Sequence, residues 1–272
     1  IREYDSFVYL QPKEELKGRW REVFDNPTAP LWVELGTGKG NFISRLADIH
    51  REVNFIGIEV QLGVLYYAAK KCAAAELTNV RLLRFDAAFL ETLFAPGEVD
   101  RFFINFCDPW PKKRHAKRRL TYRGFLDRYA RLLAADGKIH FKSDNAGLFD
   151  FTLEEFNARH WPLSEVTYDL HGSDILNEAM TEYEAKFSGL GQPIFHCVAA
   201  KPAKDVDDNN KKAKQMYRAM LLLLGAFALL WVIGTVNVFS ATFAEDRLSG
   251  SAYGHLLRQL VFRSDSCSYG FS

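Results

Sequence analysis

One stretch of this chain concentrates residue types that bind and react: Asn105-Phe106-Cys107-Asp108-Pro109-Trp110-Pro111, then Lys112-Lys113-Arg114-His115-Ala116-Lys117-Arg118-Arg119. An acid, Asp108, opens a turn in which two prolines fix φ and remove two backbone donors. Six basic residues then occupy eight positions, 112–119. A carboxylate and an aromatic beside a dense cationic run suit a flat polar base that arrives attached to phosphates. Each part alone has a plainer reading, since Asp-Pro starts ordinary turns and basic runs are usually solvated faces. Position favours chemistry. The stretch follows the apolar run Phe102, Phe103, Ile104, Phe106, which reads as a buried strand, and open α/β sheets bind ligands at the carboxyl ends of their strands.

The elements needed to position it can be read around it. Leu31 to Leu35 is a short apolar strand carrying Glu34, and it runs into Gly36-Thr37-Gly38-Lys39-Gly40 and a helix from Asn41 to His50, with Phe42, Ile43, Leu46 and Ala47 at helical spacing. Strand, glycine loop and helix make a nucleotide-binding turn. Its GxGxG spacing is not the dinucleotide pattern, and Glu34 would repel a pyrophosphate but welcome a cationic amino-acid moiety. Val53 to Ile58 is a second strand ending in Glu59, an acid placed for ribose hydroxyls. After a helix at Leu62 to Leu77, Val80 to Phe85 is a third strand ending in Asp86, which suits an adenine edge or a helix cap equally. A helix from Thr121 to Leu133, a turn at Asp136-Gly137 and a fifth strand, Lys138 to Lys142, lead to Asp144. Five acids thus emerge at five successive strand ends. The β-α alternation predicts a doubly wound, mainly parallel sheet.

Beyond it, Ala146 to Arg159 reads as a helix, Ser164 to Leu170 and Pro193 to Ala199 as strands. Thr181-Glu182-Tyr183-Glu184 is by local pattern a capping box, with a substrate-facing loop as the alternative. Net charge is +1 over 272 residues, so the basic run is a local patch on a balanced protein. Cys72, Cys107, Cys197 and Cys267 have no CxxC or His-paired spacing, so no metal is expected and the thiols fit a reducing compartment. No secretion signal opens the chain at Ile1, and further sequence is expected before it.

Ala219 to Ala244 is 26 residues without an Asp, Glu, Lys or Arg, enough to span a bilayer. Lys211, Lys212, Lys214 and Arg218 precede it, which places everything before the span in the cytoplasm. The expected organisation is an N-terminal extension at 1–30, a main domain at 31–202, a charged linker at 203–218, a transmembrane-like helix at 219–244 and a tail at 245–272.

Three motifs together, Glu34-Leu35-Gly36-Thr37-Gly38-Lys39-Gly40, Asp108-Pro109-Trp110-Pro111-Lys112-Lys113-Arg114-His115 and Thr181-Glu182-Tyr183-Glu184, resemble the bacterial tRNA (guanine-N7)-methyltransferase family over about residues 2–202. The resemblance implies a Rossmann-like class I S-adenosylmethionine methyltransferase with an antiparallel last strand, forming 7-methylguanosine at a variable-loop guanine of tRNA. It implies Glu34, Gly36, Gly38, Glu59, Asp86 and Asp108 as cofactor contacts; because the methylated guanine is cationic, a nearby carboxylate would stabilise it, which makes Asp108 the candidate catalytic residue with Asp144 beside it. Lys112, Asp144, Thr181, Glu182, Tyr183 and Glu184 would contact substrate, and Arg114, His115, Lys117, Arg118 and Arg119 the RNA. In this light the capping reading of Thr181 and Glu184 becomes the weaker one. Two departures stand out. The family's basic N-terminal extension is absent, which predicts reduced tRNA affinity. The tail, Leu222 to Phe243 and Tyr253 to Phe262, resembles the first membrane span of FtsW/RodA-type cell-division and shape proteins, and is read as a fusion, an assembly join or out-of-frame sequence with no carried-over function. The competing readings are a methyltransferase acting on another substrate, an RNA-binding module without catalysis, and a membrane-morphology protein.

Overall fold

The computed structural model describes residues 2–11, 13–203 and 215–236. Residues 1–206 form one compact unit and 207–272 another. In the first, the strands are β1 (Val8–Tyr9), β2 (Leu31–Leu35), β3 (Asn54–Glu59), β4 (Val80–Arg84), β5 (Val99–Asn105), β6 (Leu133–Ser143), β7 (Leu163–Thr167) and β8 (Phe195–Ala200). The helices are α1 (Asn41–Ile49), α2 (Leu62–Ala74), α3 (Leu90–Leu93), α4 (Arg123–Leu132), α5 (Ala146–Ala158) and α6 (Glu182–Ser188). The strands make one sheet in the order β1-β4-β3-β2-β5-β6-β8-β7. All neighbours from β1 to β6 pair parallel, whereas β8 runs antiparallel to both β6 and β7. This is the expected Rossmann-like sheet with its antiparallel late strand.

Strands β2 and β3 are buried along their whole length, as parallel strands covered on both faces must be. One face carries the larger core, where Val33, Leu35, Phe102, Ile104, Ile139 and Phe141 meet α4 and α5 through Leu126, Tyr129, Phe149 and Phe156. The other face buries Trp32, Phe55, Leu82 and Phe103 against Phe42, Ile43 and Leu46 of α1 and Leu65, Ala68 and Ala69 of α2. Helix α1 starts at Gly40, with φ +83°, and a Cβ there would lie 2.7 Å from Ala68. The glycine is required twice, by its left-handed backbone and by the approach of α2.

Within residues 1–30, β1 extends the sheet edge beside β4, and the buried Glu98 accepts from the amides of Gly18 and Trp20. Sequence and structure part at one turn. Asp136-Gly137 does not end an element. It lies inside β6 as a bulge, where the register with β5 jumps between Val99 and Arg101. Of the expected 219–244 helix, residues 219–236 fall within a helix, α7, described over Gln215–Val236 in the second unit, and 237–272 lie outside the described residues. Its side chains are almost wholly exposed apolar groups.

Candidate active site

The order of the sheet reverses at β2, with β3 on one side and β5 on the other. Ligands of open α/β sheets bind where such a reversal parts the loops at the carboxyl ends. Leu35 pairs with Ile104, so the glycine loop and the Asp108 turn leave adjacent strands side by side.

Glu34 is 2% exposed. Its carboxyl group accepts from Thr37 Oγ1 at 2.6 Å and from Asn105 Nδ2 at 3.0 Å, and burial pushes its pKa up to about 8 despite both bonds. The glycine loop is folded back on β3. The amides of Gly36 and Thr37 donate to Ile58 O at 2.9 and 3.0 Å, and that of Gly38 to Glu59 Oε2 at 3.1 Å. Three loop amides are therefore already satisfied by protein, which does not suit a loop whose task is to cradle phosphate. The other oxygen of Glu59 accepts from Gln61 N at 2.9 Å. Asp86 is exposed and caps the following 3₁₀ turn through Ala88 N at 2.8 Å.

Asp108 differs from these acids. It is exposed, and its carboxylate has no hydrogen bond or ion pair among the described residues. The backbone around it is strained: Phe106 and Trp110 have φ of +52° and +41°, rare for bulky residues. The strain is held from outside. Phe106 N donates to Lys142 O at 3.0 Å, and the Arg119 guanidinium donates to Pro109 O at 2.9 Å and Trp110 O at 3.1 Å while lying 4.3 Å from the Phe151 ring. Neighbouring Cys107 is no nucleophile, because burial pushes its thiol up to about 12.

The six cations of 112–119 therefore divide. Arg119 is a structural clamp, and Arg118 stacks on the Trp110 ring at 4.9 Å, with His115 edge-on to it at 5.8 Å. Lys112, Lys113 and Lys117 are exposed with no partner among the described residues, and the latter two lie on a 3₁₀ helix, Lys113–Arg118. Among the described residues Arg114 reaches only His115, at 3.4 Å. Sequence spacing treats these cations as one patch. Geometry separates those that build the turn from those that face solvent.

The Thr181 to Glu184 segment sits across the same rim. Thr181 Oγ1 accepts from Glu184 N at 3.0 Å, so the cap at the start of α6 does form. Glu184 does not complete a capping box. It is fully buried and faces Lys142 Nζ at 3.1 Å, Asn177 Nδ2 at 2.7 Å and His171 Nε2 at 3.3 Å. Glu182 pairs with Lys71 of α2. The Tyr183 hydroxyl donates to Asp144 Oδ2 at 2.7 Å, while its ring rests 5.1 Å from Phe106. Neither Asn105, which opens the 105–119 stretch, nor Lys142, at the end of the fifth strand, nor His171 or Asn177 is marked as a site residue by the sequence. Only Lys142 left a signal, as a charged residue inside a strand otherwise buried on that side.

A methyltransferase family model, Methyltransf_4, matches residues 28–197. The tRNA (guanine-N(7)-)-methyltransferase of Geobacillus thermodenitrificans (strain NG80-2) is 50% identical over 202 residues, which cover 74% of this chain and 93% of that protein. The protein of the same name from Streptococcus equi subsp. equi (strain 4047) is 50% identical over 193 residues, 71% of this chain and 90% of that one. Among solved structures, an antibiotic related methyltransferase superposes with a TM-score of 0.49 at 18% identity, over 70% of this chain and 94% of the other.

Proposed function

This chain belongs to the tRNA (guanine-N7)-methyltransferase family, and from that premise we propose that residues 31–202 methylate N7 of a variable-loop guanine in tRNA, forming 7-methylguanosine with S-adenosylmethionine as donor. The residues at the switch point fit that donor. A buried carboxyl group, Glu34, suits its ammonium, and the loop whose amides bond to Ile58 and Glu59 suits a ligand without phosphates. Glu59 and Asp86 would hold the ribose and adenine ends, with Gly36 and Gly38 allowing close approach. When bound, the donor supplies a methyl group made electrophilic by its sulfonium.

Guanine N7 carries a lone pair and no proton, so no side chain need act as a base. What the protein must do is hold the guanine in line, an effect worth about 7–11 kcal/mol for well-oriented reactants. The methylated base is cationic. A carboxylate fixed before the reaction, close to where that charge develops, stabilises it without reorganising. The unpartnered Asp108 carboxylate, presented by a strained turn beside the glycine loop, is the observation that carries this assignment. Asp144 and the Thr181 to Glu184 segment would line the base pocket, and Lys112, Lys113 and Lys117 would meet RNA phosphates. Mass spectrometry of nucleosides from tRNA incubated with protein and S-adenosylmethionine tests the function. 7-Methylguanosine is expected; methylation of duplex DNA instead, or of neither, would overturn it.

The apolar helix Gln215–Val236 supports a second element of the proposal, anchoring of the enzyme to a membrane with residues 31–202 in the cytoplasm. Co-flotation of the full chain with phospholipid vesicles, resisting carbonate, is the expected result. A chain that stays at the bottom of the gradient would remove the anchor.

A further inference from the structure

The segment before α6 runs from Asp174 to Met180 without regular secondary structure, so its own backbone holds it weakly. Beneath it, on the α1 side of the sheet, lies a cavity of about 490 Å³ with mixed polar and apolar walls, lined among others by Arg101, Phe103, His140, Asn177, Ala179 and Lys142. The segment is therefore a roof over a hollow. One apolar side chain, Ala179, is buried into the core. Side chains from outside hold it too: His50 Nε2 lies 3.2 Å from the Glu178 carboxylate, and the most connected anchor is Lys142. Its Nζ, on a side chain 8% exposed, donates to Asn177 Oδ1 at 2.6 Å, to Ala179 O at 3.0 Å and to Glu184 at 3.1 Å. One ammonium thus binds the chain both before and after Thr181.

The direction of the energetics is informative. Burial lowers the Lys142 pKa, so desolvation opposes its charge, and a buried ion pair is weak grounds for stability. The better-attested use of such a pair is to select one arrangement among several. The backbone of the same residue also receives Phe106 N, two positions before Asp108. Lys142 is therefore bonded to both segments that face the crevice.

Resting on the proposed methylation, we infer that Lys142 is a positioning residue, which through its ammonium fixes the 174–184 segment over the base pocket without touching substrate or methyl donor. Lys142→Met should speed amide hydrogen exchange across 174–188 by tenfold or more. It should lower kcat on tRNA by about 10- to 100-fold, while the KM for tRNA and the Kd for S-adenosylmethionine each stay within about threefold. Lys142→Arg, which keeps the charge, should recover most of the exchange protection and at least a third of kcat. Should Lys142→Met fail to fold, Asn177→Ala removes one acceptor without stranding a buried charge, and is expected to show the same pattern at about three- to tenfold. Unchanged exchange would overturn the inference, as would fast exchange with normal kcat, or a kcat loss matched by an equal loss of donor affinity. The exchange arm needs no substrate, so it decides the anchor even if wild-type protein yields no 7-methylguanosine, a result that would instead sink the function.

Discussion

The two segments that face the crevice are held in opposite ways. Around Asp108 it is chiefly the backbone that is strained and clamped: Phe106 and Trp110 adopt positive φ, Arg119 grips two carbonyls, and the Asp108 carboxylate has no partner among the described residues. Around α6 it is the side chains that are engaged. Thr181 caps, Glu182 pairs with Lys71, Tyr183 bonds Asp144, and Glu184 is buried against Lys142. The difference sorts the expected effects of substitution. On the proposed assignment, loss of the Asp108 carboxylate should remove a charge beside the reacting base and nothing structural, whereas loss of a group on α6 should disturb the segment expected to face that base.

The largest effect should come from Asp108→Ala. Turnover is expected to fall about 10²- to 10³-fold, the loss typical of one preorganised electrostatic contact, with melting temperature unchanged and tRNA retention on filters intact. A large drop in melting temperature would show that Asp108 is structural after all and erase the contrast. Next is Glu184→Ala. Breaking a buried pair costs about 3–5 kcal/mol, and the lower end is expected because Asn177 and Ala179 O still receive the Lys142 ammonium. Chemical denaturation measures it. Stability within 1 kcal/mol of wild type would make Glu184 resemble Asp108 more than its neighbours.

The solvent-facing lysines give a milder test. Lys112→Ala, Lys113→Ala and Lys117→Ala combined should weaken tRNA binding at low salt and reduce the slope of log affinity against log salt by about two to three, since each phosphate contact contributes just under one. Arg119→Ala should leave that slope nearly unchanged and instead lower stability. An equal slope change for Arg119 would mean that the clamp also reaches RNA. Glu34 adds a proton-linked test. Its folded pKa lies above the unfolded value, so between about 4.5 and 8 the folded chain holds a proton that the unfolded chain has released, and stability falls as pH rises through that window. A cationic donor should favour the carboxylate and release that proton near pH 7. Calorimetry in buffers of different ionisation enthalpy should detect the release in wild type and lose it in Glu34→Gln.

How much of this was legible in the sequence depends on where the determining forces lie. The parallel sheet was readable because its strands are short apolar runs and each ends in a polar turn. Strand-end acids were readable for the same reason. What those acids touch was not. Glu34 and Asn105 are 71 positions apart, and Lys142 and Asn177 are 35 apart, so no local pattern joins them. Arg119 looks like any other member of a cationic run, and only the fold reveals that its guanidinium is turned inward on the Pro109 and Trp110 carbonyls. The Asp136-Gly137 signal was real as chemistry and wrong as topology, because Val99 of β5 still pairs with Leu133 before it and Arg101 with Lys138 after it, which holds the chain in the sheet as a bulge.

The smallest effect, and the finest probe of the contrast, is expected from Tyr183→Phe. The hydroxyl bond to Asp144 is lost, leaving that carboxylate, among the described residues, only Gln192 Nε2 at 3.3 Å. Tyr183 is 41% exposed, so water replaces much of the bond and the stability loss should be about 0.5–1.5 kcal/mol. The bond to Asp144 pushes the Tyr183 pKa up to about 12, so its contribution is complete below pH 10 and disappears as pH rises through 12. Wild type and variant should therefore differ by a constant amount below pH 10 and converge above it. Freed of the tyrosine, Asp144 keeps only the long bond from Gln192 among the described residues and comes closer to the state of Asp108. If Asp144 acts on the base only while held by Tyr183, kcat should fall by several-fold in the variant. A variant with normal kcat would show that Asp144 needs no such holding, and that the division between a free carboxylate and a tethered segment stops short of this pair.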